Sequence, residues 1–271
     1  MMPYFYKLLE RIPPSVKRFV VHHWYQFLAG NYRNKDWTFM NYGYEDLEPE
    51  RSLLELDPIL ERERYSVQLY CQITSAVDLK GKDVLEVGSG RGGGAAYIHH
   101  YLQPKTMIGV DFSTEAIDFC GAKHKAEGLT FISGDAESLP FENHSFDVVI
   151  NVESSHTYGS METFLEEVAR VLRPEGYFLF TDIRSTESIP TLRRQLIASR
   201  LRVLNERDIS QNVLKALEID TGYKYTLIRA KARRFIARSI KNIFGIRGLA
   251  SGATQYRSVV MQKEPASTPI H

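Results

Sequence analysis

The residues with the most chemical content lie in one stretch, Glu86-Val-Gly88-Ser-Gly90-Arg-Gly92-Gly93-Gly94. Glycines at this density let a backbone turn sharply and approach a ligand where any Cβ would clash. The stretch follows a short apolar run and opens a helical one, the setting in which such a loop binds ligands. Asp111 closes the next apolar run, at the distance where a carboxylate accepts both hydroxyls of a ribose. Asp135-Ala136 follows the third run and suits an exocyclic adenine amine with a neighbouring backbone contact. Glu86 precedes the first glycine of the loop. A carboxylate there repels a pyrophosphate and attracts a sulfonium or an ammonium. Gly88, Gly90 and Gly93 also fit the Gly-x-Gly-x-x-Gly spacing of dinucleotide sites. A nicotinamide-dependent oxidoreductase is therefore one rival reading, against which Glu86 and Asp135-Ala136 argue. A non-catalytic, cofactor-binding scaffold is another, and the intact motif set argues against it.

Proton chemistry points to His156, just past the fourth apolar run, at the carboxyl edge where open α/β sheets bind ligands. An imidazole of ordinary pKa, about 6.5, accepts a proton at neutral pH. The competing reading is a histidine that bonds a loop or a ligand carboxylate. Glu153 either orients His156 or serves as a structural cap. No cluster suggests a metal: His22-His23 and His99-His100 are adjacent pairs on helical stretches, so their side chains diverge.

The elements that must position these groups read clearly. Short apolar runs at Asp83–Val87, Thr106–Val110, Leu129–Ser133, Asp147–Val152 and Tyr177–Asp182 alternate with helical stretches, one running from the glycine-rich turn through Tyr101 and others at Ser113–Lys125 and Met161–Leu172. Strands alternating with helices predict a parallel sheet covered on both faces. Ser113 is a candidate N-cap. Beyond Asp182 the order is helix (Pro190–Arg200), strand (Arg202–Arg207), helix (Ile209–Ile219), basic helix (Tyr223–Phe244), loop (Gly245–Gly252) and a last strand (Tyr256–Gln262). Residues 1–80 read as helical and aromatic, with helices at Val16–Ala29 and Ile59–Val77 and a loop at Asn41–Tyr44. That loop either closes over a ligand or packs the N-terminal helices; Gln68 and Tyr70 carry the same two readings.

Composition frames these motifs. The chain has 271 residues, 43% hydrophobic and 25% charged, which excludes a disordered chain and a collagen. Cys71 and Cys120 are its only cysteines, which predicts a reducing, cytoplasmic setting and no structural zinc. No apolar run approaches the roughly 18–20 residues of a membrane span, and no signal peptide is evident. The net charge of +1 hides basic segments towards both ends and an acidic stretch over residues 36–64. Tyr223–Phe244 is an amphipathic basic helix with three readings: a solvated lid face, contact with an anionic membrane or lipid, or nucleic acid binding. No aromatic–basic motif supports the last, so no nucleic acid partner is expected. Trp24, Tyr25 and Phe27 suit a peripheral membrane contact.

Glu86-x-Gly88-x-Gly90-x-Gly92, Asp111, Gly134-Asp135-Ala136, Leu139-Pro140-Phe141, Ser145–Val149 and Glu167-Val-Ala-Arg-Val-Leu-Arg-Pro174-x-Gly176 resemble the class I S-adenosylmethionine-dependent methyltransferases over residues 82–183. The resemblance implies a Rossmann-like α/β fold with a seven-stranded, mostly parallel sheet and an antiparallel last strand. A helical extension over 1–80 would precede a methyltransferase domain over 81–271 carrying a lid insertion at about 208–254. It implies S-adenosyl-L-methionine as cofactor, with Gly88, Gly90 and Gly92 at the methionine moiety, Asp111 at the ribose and Asp135 with Ala136 at the adenine. Phe112 would pack on the adenine face, and Glu86 and Asn151 would complete the cofactor set. Asn151-Val-Glu153-Ser-Ser155-His156-x-Tyr158, Asn41-Tyr42-Gly43-Tyr44-Glu45 and the long insertion before the last strand resemble, more narrowly, mycobacterial methyltransferases of phthiotriolone dimycocerosates and related fatty-acid O-methyltransferases. This implies methylation of a hydrophobic acceptor at oxygen, on a lipid, polyketide or fatty acid. Carbon or nitrogen methylation of another small molecule is the alternative. His156 would be the catalytic base, and Tyr42, Tyr44, Glu153 and Tyr158 would belong to the substrate site or lid.

Overall fold

Period-2 burial explains why the apolar runs become the centre of a sheet. In β1 (Asp83–Val87), Val84 packs with Leu69 and Ile73 on one face, while Leu85 and Val87 pack with Phe164, Leu165 and Val168 on the other. In β4 (Phe146–Val152), Val148, Ile150 and Val152 join the first cluster and Val149 the second. A strand with core on both faces can only be apolar throughout, and each fully buried large aliphatic side chain contributes about 1.5–3 kcal/mol. The computed structural model describes residues 37–48, 55–58, 60–220 and 246–265. The expected helices at Val16–Ala29 and Tyr223–Phe244 lie outside these residues, as do His22 and His23.

The remaining strands are β2 (Thr106–Asp111), β3 (Leu129–Ser133), β5 (Leu172–Ser185), β6 (Leu201–Asp208) and β7 (Thr254–Lys263). They form one seven-stranded sheet in the order β3-β2-β1-β4-β5-β7-β6. Neighbours from β3 to β5 pair parallel, and β7 runs antiparallel between β5 and β6. This is the expected α/β sheet with its antiparallel last strand. Its helices are α1 (Arg64–Thr74), α2 (Gly93–Tyr97), α3 (Thr114–Lys123), α4 (Met161–Val171), α5 (Ile189–Ala198), α6 (Ser210–Asp220) and α7 (Ile246–Ala250). Ser113 and Ser160 cap α3 and α4, their hydroxyls accepting from the amides of Ala116 and Thr163. Among the described residues no helix is long and apolar enough to cross a membrane.

Three elements differ from expectation. β5 begins at Leu172 rather than Tyr177, because Arg173-Pro-Glu-Gly does not end the pairing. It bulges between the pairs Phe146–Leu172 and Val148–Tyr177, with Glu175 at φ 61°. The helix after the glycine loop is shorter: α2 passes into a π-helical turn over Ile98–Leu102, closed by Gln103 at φ 48°. The expected loop at Gly245–Gly252 contains α7, where a Cβ on Gly248 would meet Thr254 Oγ1 at 2.7 Å.

Residues 37–48 form an irregular strap that crosses the sheet's carboxyl edge. The strap is pinned by Arg91 Nε donating to the Trp37 carbonyl (2.7 Å), the Gly93 amide to that of Thr38 (3.2 Å), the Tyr44 amide to that of Tyr65 (2.9 Å), and the Glu45 amide to that of Asn212 (3.2 Å).

Candidate active site

The carboxyl ends of β1, β2 and β4 open into a cavity roofed by the strap. Trp37–Asn41 line one side; Gly88, Ser89, Gly90 and Arg91 form the floor. Asp111 ends β2 and Phe112 follows it, with Asp135, Ala136 and Glu137 beyond β3, and Glu153, Ser154, Thr157 and Tyr158 beyond β4. Glycine is required at position 88: φ is 77°, and a Cβ would lie 2.2 Å from Ser154 Oγ. Gly94 is required for another reason. A Cβ there would fall 2.0 Å from the Tyr70 ring, and Tyr70 passes through that gap to donate to Glu86 Oε1 at 2.5 Å.

Glu86 is fully buried behind the loop, and its Oε2 has no hydrogen-bond partner. Burial raises its pKa to about 8, against the lowering effect of the Tyr70 hydrogen bond and the nearby Ala95 amide. Burial, then the neighbouring Glu86 carboxyl, pushes the Tyr70 phenol well above its usual range. Asp111 accepts from the Gly90 amide at 2.8 Å and the Ser113 amide at 2.9 Å, one on each oxygen. With about four lone-pair sites in all, the carboxylate keeps acceptor capacity for a hydroxyl beside the Gly90, Ser113 and Phe112 amides. Burial raises the Asp111 pKa against those amide bonds. Asp135 accepts from the Glu137 amide at 2.9 Å, and Phe112 is 48% exposed on the cavity wall. Asp111, Asp135, Glu137 and Glu153 surround one cavity, with Glu86 behind it and Arg91 as its cation. Such a field favours a cationic ligand over a pyrophosphate.

Several expected site residues stand elsewhere. Asn151 is buried behind the wall, donating to the Val87 carbonyl (2.9 Å), Ser154 Oγ (2.8 Å) and Tyr158 Oη (3.0 Å). It braces the loop rather than lining the cavity. Tyr42 and Tyr44 are 7% and 5% exposed in the hydrophobic core, and the wall is made by the strap residues before them. Glu153 does line the cavity, from a left-handed backbone at φ 53°. Its carboxylate accepts from the Tyr42 amide at 2.7 Å. His156 lies in a short 3-10 turn, Ser155–Thr157, next to the wall rather than in it. Its orienting partner is Asp182 at the end of β5, with Nδ1 and Oδ1 2.7 Å apart. Burial opposes ionisation of Asp182. The nearby His156 ring and the Arg184 guanidinium, with hydrogen bonds from His156 and Ser155, outweigh it and hold the carboxyl far below the usual range.

Asp182, Gly94, Trp37–Met40 and the Tyr70–Glu86 pair are the parts that motif reading passed over. The available signals were the acid at the carboxyl end of the fifth apolar run and the second glycine pair of the loop. No group of three or more His, Cys, Asp or Glu residues forms a metal cage among the described residues.

S-adenosylmethionine fits this site. The orphaned Glu86 oxygen and the acidic wall suit its cationic groups, the glycine floor admits close approach, and Asp111 retains acceptor capacity for ribose. Residues 85–180 match the family model described as a methyltransferase domain. A fatty-acid O-methyltransferase of Mycolicibacterium smegmatis is 44% identical over 194 residues, 72% of this chain and 70% of that protein. The phthiotriol/phenolphthiotriol dimycocerosates methyltransferase of Mycobacterium tuberculosis is 36% identical over 256 residues, 92% of this chain and 94% of that protein. In fold, the structure is similar to geranyl diphosphate C-methyltransferase from Streptomyces coelicolor A3(2), solved with S-adenosyl-L-homocysteine. The TM-score is 0.68 at 15% identity, over 93% of this chain and 100% of that one. The acid-walled cavity, the strand-end carboxylates and these relatives together make the chain a member of the S-adenosylmethionine-dependent methyltransferase family.

Proposed function

We propose that the enzyme methylates an oxygen of a long-chain lipid acceptor, at a hydroxyl or a carboxyl. The observation that carries this reading is the pair of relatives at 44% and 36% identity, one named for fatty-acid O-methylation and the other for phthiotriol dimycocerosates. Bound cofactor supplies a methyl already activated on a sulfonium, taken by the acceptor oxygen as the S–CH3 electron pair returns to sulfur. The chain's own residues must hold the acceptor in line and exclude water, a contribution on the order of 7–11 kcal/mol in favourable cases. A carboxylate acceptor needs no base. A hydroxyl benefits from one by roughly 10²–10⁴-fold, and His156 takes that role in this reading. Gly88, Gly90, Gly92, Asp111, Phe112, Asp135 and Ala136 hold the cofactor, with Glu86 behind the loop and Asn151 bracing it. Glu153 and Tyr158 face the acceptor. In this reading the basic composition of segment 223–244 suits contact with an anionic lipid surface.

Labelled S-adenosylmethionine offered with a long-chain fatty acid, a long-chain diol and a catechol tests the reading. A labelled methyl ester or ether on a lipid is expected. Label transferred only to the catechol, or to carbon or nitrogen acceptors added in parallel, would overturn it. Flotation with anionic and neutral vesicles tests the surface contact; equal partition would remove it.

A further inference from the structure

We infer that Asp182 is the positioning residue that sets the tautomer of His156, fixing the ring proton on Nδ1 and leaving Nε2 as the proton-accepting atom. The assignment rests on the reading of His156 as base, but its geometry stands independently of that reading.

Asp182 lies at the end of β5 with a side chain fully out of solvent, while that of His156 is 12% exposed. A carboxylate in that position is costly unless donors surround it, and they do. Oδ2 accepts from Ser155 Oγ at 2.6 Å and from the His156 amide at 2.9 Å, and it pairs with Arg184 Nη1 at 2.9 Å. Oδ1 accepts from the Ile183 amide at 2.8 Å and faces His156 Nδ1 at 2.7 Å. Arg184 also donates to Ser155 Oγ at 2.7 Å, so that hydroxyl has its proton directed at Asp182.

The consequence follows from donor and acceptor counting. A carboxylate satisfied by four fixed donors is an acceptor only, so the group facing it at 2.7 Å must present a hydrogen. That places the imidazole proton on Nδ1. The second nitrogen of the neutral ring is then the acceptor, and a hydroxyl proton transferred there leaves the oxygen its electron pair for the new O–CH3 bond. Two contacts from one carboxylate, to the His156 amide and to its ring, also fix the ring relative to its own backbone. Glu153, three residues earlier, cannot take this role from where it stands: its left-handed backbone directs its carboxylate to the Tyr42 amide.

The test is long-range 1H–15N correlation on the full chain labelled with 15N-histidine, at neutral pH, with the His156 signals assigned by their loss in H156Q. A protonated Nδ1 and an unprotonated Nε2 are expected in the wild-type protein. The opposite tautomer, or a ring protonated on both nitrogens, would overturn the inference. In D182N the amide NH2 can donate to Nδ1, so the Nε2–H tautomer should gain population. Turnover on a long-chain alcohol should then fall at least tenfold, with the cofactor KM changed less than twofold. Unchanged tautomer and turnover in D182N would also overturn it. Wild-type turnover in H156Q, with the Nδ1–H tautomer observed in the parent, would remove His156 as base and leave the tautomer assignment standing.

Discussion

At the scale of single residues, Glu86 carries the sharpest consequence. Its folded pKa of about 8 lies above the ordinary carboxyl value of 4.5 because the side chain is buried. The folded chain therefore retains a proton that the unfolded chain releases. By linkage, the stability Glu86 contributes is full below 4.5 and is lost as pH rises towards 8. Cofactor affinity has the opposite sign. A cationic ligand prefers the ionised carboxyl, so affinity rises with pH until Glu86 is ionised without it, by at most about tenfold per pH unit. Calorimetry with S-adenosylmethionine from pH 6 to 8 should show this rise in the wild type, and S-adenosylhomocysteine, which lacks the sulfonium charge, should show less of it. E86Q, which keeps an acceptor for Tyr70, should lose the rise and bind about as weakly throughout. A parallel slope in both proteins would assign the dependence to the ligand instead. The sequence made Glu86 legible because an acid two residues before a glycine loop has few other uses. Asp182 was not, since a single acid closing an apolar run looks like a strand terminus until His156, 26 residues away, is seen beside it.

At the scale of elements, the glycine loop is shaped from behind as much as by its ligand. Gly88 gives way to Ser154 and Tyr158 of the turn after β4, and Gly94 to Tyr70 of α1. These contacts separate two effects. G88A combines a left-handed φ with a Cβ 2.2 Å from Ser154 Oγ, so the loop itself must move, and S-adenosylhomocysteine affinity should fall more than tenfold. G94A pushes the Tyr70 ring off Glu86. It should lower stability by about 1–3 kcal/mol, the range for overpacking, with Y70F in the same background recovering only part of it, because the added Cβ meets two ring carbons as well as the hydroxyl oxygen. Thermal unfolding and calorimetry on both variants check the contrast. A G88A protein that binds as the wild type does would dismiss the account of the turn. Strands were legible because two-sided burial leaves continuous apolar runs, and one helix start because Ser113 precedes a helical pattern; the second cap, Ser160, showed only in the structure. β5 was underestimated because Arg173-Pro-Glu-Gly has breaker composition. Only pairing with β4 shows that the chain bulges and continues. Of the strap only the loop at Asn41–Tyr44 was legible, for a related reason: Trp37–Met40 have no periodicity, and their place follows from hydrogen bonds to distant backbone groups.

At the scale of the whole molecule, a net charge near zero conceals a cavity walled by Asp111, Asp135, Glu137 and Glu153. That wall draws on the ends of three strands, and the strap crosses it while tied to the glycine loop, α1 and α6. A ligand seated there bears on elements from both ends of the described chain, so its binding free energy should appear as global stability. At a concentration a hundred times its Kd, a ligand adds about 2.7 kcal/mol. For a domain of this size each kcal/mol moves Tm by about 2–4 °C. S-adenosylhomocysteine at that level should therefore raise Tm by roughly 5–10 °C in one cooperative transition. NAD at the same concentration should leave Tm unchanged, since its pyrophosphate would enter an acidic field. D111A removes the acceptor for ribose and the anchor of the Gly90 amide, and should abolish most of the shift at unchanged ligand concentration. An equal shift with NAD would contradict the electrostatic reading of the cavity. A full shift in D111A would take Asp111 out of the cofactor site. Scanning calorimetry on the two proteins with the two ligands decides both points.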